Sequence, residues 1–146
     1  MCIRDSSRTV RHHWADVELI KSWLDDCEKD HGPACNEHQT SATDTGSLLL
    51  LDVIDDCLAI GNFKDQYFAL SYVWGASKQF LTLMENYDQL RQPGTLSKQP
   101  LTNTIKDAMT FVKSLGERYL WVDTIVGEFS MIHRGLHLRN PVHNPR

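Results

Sequence analysis

Four residues with metal-binding side chains fall within a short stretch of the chain, in the order Cys27-x3-His31-x3-Cys35-x2-His38. Thiolate sulfur and imidazole nitrogen are the usual ligands of tetrahedral structural zinc. The spacing differs from the Cys-x2-Cys and His-x3-His pairs that fix two ligands on one turn, so Gly32-Pro33 would have to provide that geometry. Two interpretations follow: a zinc site, or, as the favoured one, side chains that pack at the end of a helix.

A second candidate for chemistry is Asp123, the last residue of the run Arg118-Tyr-Leu-Trp-Val-Asp123. The aromatic and β-branched residues before it are typical of a strand. Ligands in open α/β sheets bind at the carboxyl ends of the parallel strands, so a carboxylate at that position is a candidate site residue. The alternative, of equal weight, is that Asp123 caps the following loop or helix.

The strand that carries Asp123 must be positioned by an earlier strand and a helix. The run Tyr67–Trp74 lacks apolar/polar alternation and is closed by Gly75, which predicts a strand buried on both faces. Thr102–Leu115 has apolar residues at helical spacing, with Gly116 at the position that ends helices. This order predicts two neighbouring parallel strands of one sheet, linked by the helix.

The segment before these elements contains two short apolar runs, Leu48–Val53 and Cys57–Ile60, which predict a β-hairpin. The carboxylates around its turn, Asp52, Asp55 and Asp56, are interpreted as turn and solvent-facing residues. Farther along, Phe80–Leu83 is predicted as a short strand, and Met84–Gly94 is left open between a helical turn and a loop.

An amphipathic helix is predicted near the start of the chain. Asp16 can cap it, and Val17, Ile20, Leu24 and Cys27 fall at i, i+3, i+7 and i+10. The helix is expected to pack against the domain or a neighbour.

Three blocks of this sequence resemble the opening blocks of the fungal heterokaryon-incompatibility (HET) domain. They are Ala69-Leu-Ser-Tyr-Val-Trp-Gly75, Leu101-Thr-Asn-Thr-Ile-Lys-Asp-Ala108 and Leu115-Gly-Glu-Arg-Tyr-Leu-Trp-Val-Asp123. Their order and spacing agree with the family from about Leu48 to Asp123. The residues that carry the family motif are Ser71, Tyr72, Trp74, Gly75, Asp107, Gly116, Trp121 and Asp123. Both tryptophans belong to dense apolar runs and are predicted to lie in the core.

The resemblance implies a cytoplasmic fungal protein of non-self recognition that triggers programmed cell death, a form of innate immunity. A distant relation of the family to TIR domains further implies a flavodoxin-like fold and NAD cleavage. The alternatives are a non-catalytic protein-interaction module, or a TIR-like NAD-cleaving domain that lacks its catalytic half. Glycine-rich phosphate loops, Ser/His/Asp sets and HExxH patterns are missing from the sequence, so catalytic residues are unknown and this fragment is expected to be inactive. No cofactor is predicted, with NAD and zinc as alternatives.

The expected fold class is α/β, a partial parallel sheet with helices, flavodoxin- or TIR-like and incomplete at the C-terminus. After Asp123 the sequence departs from the family pattern. Two interpretations of this tail are open: it is a genuine part of the protein, or it is translated from an unspliced transcript. The predicted divisions are 1–13 disordered, 14–38 the amphipathic helix module, 39–47 a linker, 48–123 the N-terminal part of the HET domain, and 124–146 a disordered tail.

Composition restricts the partners. The net charge of −4 provides no general basic surface for nucleic acid, and residues 16–56 contain eleven acidic residues and two lysines. No apolar run approaches the ~20 residues of a membrane span. The four cysteines lack the spacing of a secreted disulfide scaffold, which favours a reducing compartment. We therefore expect a protein partner. We do not expect binding to nucleic acid or a membrane-spanning segment.

Overall fold

The computed structural model describes residues 15–31, 47–62, 64–75 and 79–126. The chain divides into two compact units, Met1–Asn36 and Glu37–Arg146. A helix is described in the first unit, and a sheet with helices in the second. The predicted α/β class is confirmed. The remaining segments, which include residues 39–46 of the predicted linker and nearly all of the predicted tail, lie outside the described residues.

Helix α1 of the first unit runs from Val17 to His31. The Asp16 carboxylate accepts a hydrogen bond from the backbone N–H of Leu19 at 3.1 Å, which confirms the predicted cap. None of the helix residues is buried, and Trp23 is 59% exposed. Its apolar stripe is therefore open to solvent within the described residues.

The sheet of the second unit has the strand order β2-β1-β4-β3. Strands β1 (Ser47–Asp52) and β2 (Cys57–Asn62) form an antiparallel hairpin, as predicted. Strand β4 (Tyr119–Val122) pairs antiparallel with β1 and parallel with β3 (Phe68–Leu70). The predicted parallel pair is confirmed, and the hairpin makes the complete sheet mixed.

Two helices separate β3 from β4, α2 (Met84–Leu90) and α3 (Asn103–Leu115). The buried residues of α3 recur at helical spacing, as the sequence predicted, and are Ile105, Val112 and Leu115. Gly116 has φ 86°, a left-handed conformation that glycine adopts without steric cost, and it ends the helix at the predicted position.

Strand β3 corrects the prediction for residues 67–74. The strand ends at Leu70, Ala69 is exposed, and Val73 is 91% exposed. The doubly buried strand is instead β1, where residues 48–51 are buried. The reason is position: β1 lies between β2 and β4, whereas β3 is paired only with β4 among the described residues.

Phe80–Leu83 is the second correction, because these residues are not a strand. The Asn86 side chain accepts the backbone N–H of Leu83 at 2.8 Å and donates to the carbonyl of Leu81 at 3.1 Å. These contacts satisfy the backbone locally and lead directly into α2. Met84–Gly94, which the sequence left open between a helical turn and a loop, forms a short helix followed by turns.

A single apolar cluster fills the space between the sheet and the helices. It contains residues of β1, β2 and β4, of α2 and α3, and of the segments beside them: Leu49, Leu51, Val53, Leu58, Leu90, Leu96, Leu101, Ile105, Val112, Leu120, Val122, Ile125 and Val126. Within the described part of the chain, no helix combines the length and apolar character needed to cross a bilayer.

Candidate functional site

The carboxyl ends of the two parallel strands meet at one edge of the sheet. Phe68 is in register with Leu120, and Leu70 with Val122. The residues that follow each strand are therefore brought to the same edge, the position where open α/β sheets bind ligands. Here the indole Nε1 of Trp74 donates a hydrogen bond to Asp123 Oδ2 at 3.0 Å.

Three further side chains extend this contact into a ring of hydrogen bonds. The hydroxyl oxygens of Tyr72 and Thr124 lie 2.9 Å apart. Tyr72 also donates to Gln79 Oε1 at 3.3 Å, and Gln79 Nε2 donates to the backbone carbonyl of Trp74 at 2.7 Å. We call Tyr72, Trp74, Gln79, Asp123 and Thr124 the edge cluster. Its bonds join the segment after β3 to the segment after β4.

Local backbone geometry fixes both sides of the edge cluster. Gly75 has φ 66°, so the chain turns immediately after Trp74 in a conformation that other residues rarely adopt. On the other side, Asp123 Oδ1 accepts the backbone N–H of Thr124 at 2.7 Å, where the helical residues 123–126 begin. Both Asp123 oxygens therefore have a partner within the chain, Oδ1 the N–H of the next residue and Oδ2 the Trp74 indole, and its predicted role as a ligand-binding residue stays a prediction.

Exposure differs sharply across the edge cluster. Thr124 is 5% exposed, whereas Trp74 is 50% exposed and its neighbour Val73 is 91% exposed. The prediction that Trp74 lies in the core is therefore wrong, because β3 ends before it and the ring leaves the apolar layer. A half-exposed indole that is fixed by its own N–H suits stacking or apolar contact with a partner.

The structure places the other family-motif residues differently. Ser71 is exposed on the segment between β3 and Tyr72. Asp107 is exposed on α3, and Gly116 ends that helix. Trp121 is partly buried against the apolar cluster, as predicted. Motif residues thus serve two purposes: some hold the fold, and Tyr72, Trp74 and Asp123 meet at the sheet edge.

Sequence reasoning missed Gln79 and Thr124. Thr124 directly follows Asp123 and shares its place at the carboxyl end of β4, so the same rule that selected Asp123 applies to it. Gln79 gave no comparable signal, because it reaches Tyr72 and Trp74 from a loop whose path the sequence does not show.

A different charged group holds the opposite end of β4. Arg118 donates to Asp52 Oδ2 through Nε at 2.8 Å and through Nη2 at 2.7 Å, and its Nη2 also binds Asp55. The other Asp52 oxygen accepts the backbone N–H groups of Ile54 and Asp55 at 3.0 Å. Asp52 is only 3% exposed, so its predicted solvent-facing role is wrong. Hydrogen bonding to Asp52 is the main cause that raises the pKa of Arg118.

The remaining hairpin carboxylate, Asp56, binds the loop before α3. Its carboxylate accepts the hydroxyl of Ser97 at 2.6 Å and the backbone N–H of the same residue at 3.0 Å. These contacts fix the loop against the hairpin turn. Cys57 begins β2 beside this acidic turn, and burial followed by the negative charges of Asp52, Asp55 and Asp56 raises the pKa of its thiol.

Two of the four residues proposed as zinc ligands, Cys27 and His31, lie among the described residues. Cys27 Sγ lies 3.3 Å from His31 Nδ1, one helical turn apart. Tetrahedral Zn–S and Zn–N bonds place such atoms roughly 3.6 Å apart, so this pair fits half of a site. Cys35 and His38 lie outside the described residues. Among the described residues, no group of three or more metal-binding side chains is found.

Zinc binding remains a prediction that metal analysis can test. If the site exists, we expect about one equivalent of zinc in the purified chain and its loss in Cys27→Ser, because fewer than four ligands do not complete a structural site. Cys57→Ser is the matched control, since Cys57 lies on β2. Zinc-free wild-type protein, prepared with zinc in the medium, would contradict the hypothesis.

Comparison with protein families gives a match for the part of the chain that contains the edge cluster. Residues 67–126 match the family model described as Heterokaryon incompatibility protein (HET). This confirms the resemblance seen in the three sequence blocks. The match extends three residues past Asp123, and these residues, 124–126, are buried. No significant match was found among curated proteins or among solved structures.

Proposed function

We propose that this chain, whose residues 67–126 form part of a heterokaryon-incompatibility domain, acts in fungal non-self recognition and triggers programmed cell death. The family match supports the general assignment. The proposed setting is the cytoplasm of a fungal cell, where a protein partner is recognised.

The observation that carries the proposal is the hydrogen bond between Trp74 and Asp123. It joins the first and last family-motif blocks, which are 49 residues apart in sequence, at the carboxyl edge of the parallel strands. A contact between residues this distant requires the fold to be in place, because neither block can form it alone. The family motif is thus explained, in part, by a single surface feature.

The geometry favours a binding role for this surface. Trp74 and Val73 expose apolar area beside the Asp123 carboxylate. Aromatic side chains with one polar contact and one open face are typical anchors of protein interfaces. Both Asp123 oxygens accept hydrogen bonds within the chain, which orients the carboxylate before any partner arrives. We therefore assign the edge cluster to recognition.

NAD cleavage is the second candidate function. Its support is the position of Asp123 at the edge where α/β sheets bind ligands, together with the family's relation to TIR domains. An assay of NAD consumption by the purified chain distinguishes it from a binding role. NAD hydrolysis that is lost in Asp123→Asn would favour an enzymatic function. Cell death without NAD hydrolysis would favour a non-catalytic protein-interaction module.

The proposal is tested by expressing the chain in a filamentous fungus, continued with a complete HET domain because the fragment alone is expected to be inactive, and scoring cell death with a vital dye. We expect this continued chain to kill, and its Asp123→Asn variant to kill much less, because the amide keeps one acceptor oxygen where Asp123 uses two, for the Trp74 indole and for the Thr124 N–H. Asp107→Asn is the matched control, since it makes the same change at an exposed motif residue on α3. Equal death with both variants, or no death with the continued chain, would overturn the proposal.

A further inference from the structure

A second surface lies apart from the edge cluster, between the hairpin turn and the outer face of α3. It is an open groove of about 500 Å³. The groove residues come from the turn, the loop before α3 and α3 itself: Val53, Ile54, Asp56, Ser97, Leu101, Lys106, Met109, Thr110 and Lys113. We call it the α3 groove.

One wall of the α3 groove is a straight stripe of the helix. Lys106, Met109, Thr110 and Lys113 fall at i, i+3, i+4 and i+7, which places them on one face. The two lysines are two turns apart, about 10 Å along the axis. Both are exposed, and neither forms an ion pair with any residue that the structure describes.

The floor and the facing wall of the groove are apolar. Val53 and Leu101 are buried, Met109 is partly buried, and Ile54 keeps 47% of its surface exposed. The one carboxylate of the groove, Asp56, accepts both donors of Ser97, the hydroxyl and the backbone N–H, which is shared between the two carboxylate oxygens. An incoming ligand therefore meets apolar surface between two unpaired positive charges.

This arrangement determines the chemistry of the occupant. We propose that the α3 groove docks an acidic amphipathic helix of a partner protein, with carboxylates two turns apart against Lys106 and Lys113 and apolar side chains on Ile54 and Met109. A helix matches the groove because its own i, i+7 spacing equals that of the lysines. Two lysines beside Asp56 are too few for a nucleic-acid surface, which needs an extended row of cations.

The inference deepens the proposed function and rests on its claim that the partner is a protein. Binding is measured with a fluorescently labelled designed peptide, helical, with leucines along one face and two glutamates at the lysine spacing. The expected result is saturable binding that Lys106→Glu/Lys113→Glu weakens by about tenfold or more, because attraction becomes repulsion at both positions. Lys64→Glu/Arg91→Glu changes the charge equally outside the groove and should leave binding unchanged.

The apolar part of the groove has its own matched pair of variants. Ile54 and Ile60 are both 47% exposed, but only Ile54 lines the groove. Ile54→Ser should weaken binding severalfold and Ile60→Ser should not. Circular dichroism is used to check that each variant remains folded. Lys106→Arg/Lys113→Arg should retain binding, because it keeps both positive charges.

Three results would overturn the inference. In the first, a peptide whose glutamates are replaced by lysines binds as well as the acidic peptide. In the second, inorganic phosphate at matched ionic strength displaces the peptide, and in the third, RNA binds more tightly than the acidic peptide. The peptide assay involves no cell death, so its failure leaves the role of the edge cluster untouched. Conversely, peptide binding with no cell death from the chain continued with a complete HET domain would reject the proposed function alone.

Discussion

The two ends of β4 carry similar chemistry in different surroundings. At the amino end, Arg118 binds Asp52 across 66 residues of sequence. At the carboxyl end, Trp74 binds Asp123 across 49 residues. Each pair joins a distant segment to the same central strand. The Asp52 carboxylate is 3% exposed, whereas Trp74 is 50% exposed.

This difference in burial separates two roles. Asp52 receives backbone and guanidinium donors from its own chain, and its surroundings leave almost no surface for another molecule. A buried polar group of this kind contributes to stability because removing it leaves its donors unsatisfied. Trp74 uses its N–H within the chain but presents its ring to solvent, so much of its apolar area remains available for a partner.

The largest effect on folding is expected from Asp52→Ala. The substitution leaves the backbone N–H groups of Ile54 and Asp55 without their acceptor and leaves Arg118 with Asp55 as its remaining carboxylate partner, so the free energy of unfolding should fall by about 1–3 kcal/mol. Urea denaturation followed by circular dichroism measures the change. Asp107→Ala, at an exposed site, should stay within about 0.5 kcal/mol of wild type. Similar losses in the two variants would show that the Arg118 end does not stabilise the sheet.

Trp74→Phe should affect folding less and function more. The variant removes the donor to Asp123 while keeping an aromatic ring, and both partners are accessible to water, so we expect a loss of about 0.5 kcal/mol. The same denaturation experiment measures it, and the vital-dye assay should show reduced killing. A destabilisation as large as that of Asp52→Ala would break the proposed separation of the two ends.

The reactivity of the Cys57 thiol depends on the acidic surroundings of the hairpin turn, near the amino end of β4. Burial and three nearby carboxylates raise its pKa, so the protonated thiol is favoured in the folded chain. Its contribution to stability is present below the usual cysteine value of about 8.5 and is lost as the pH rises through the higher folded value. Mass spectrometry after iodoacetamide treatment at pH 7.5 should show slower alkylation of Cys57 than of Cys27. Equal rates in folded protein would contradict this description of the hairpin.

The order of the elements could be predicted because their sequence patterns are local. The spacing of Ile105, Val112 and Leu115 defines α3, and Gly116 marks its end, without reference to the rest of the fold. The apolar runs around residues 52–57 likewise define the hairpin. Asp123 was found as a candidate because its position at a strand end is visible in the sequence.

Burial could not be predicted as well, because it depends on strand order. The run at residues 67–74 is as apolar as an interior strand, but β3 pairs with β4 alone in the described sheet, and Val73 and Trp74 are exposed. Asp52 shows the reverse error, since its buried role depends on Arg118, which is far away in sequence. The contact of Gln79 with Tyr72 could not be predicted, because no periodic pattern in the sequence links these two positions.

The most direct test of the edge cluster is the indole N–H resonance of Trp74 in a ¹⁵N–¹H NMR spectrum. The chain has four tryptophans, so Trp→Phe variants assign each indole signal. The structure predicts that Asp123→Ala shifts the Trp74 indole signal and speeds its exchange with solvent, because the acceptor at 3.0 Å is lost. An unchanged Trp74 signal in a folded Asp123→Ala chain would mean that the two motif blocks do not meet, and the account of the site would be wrong.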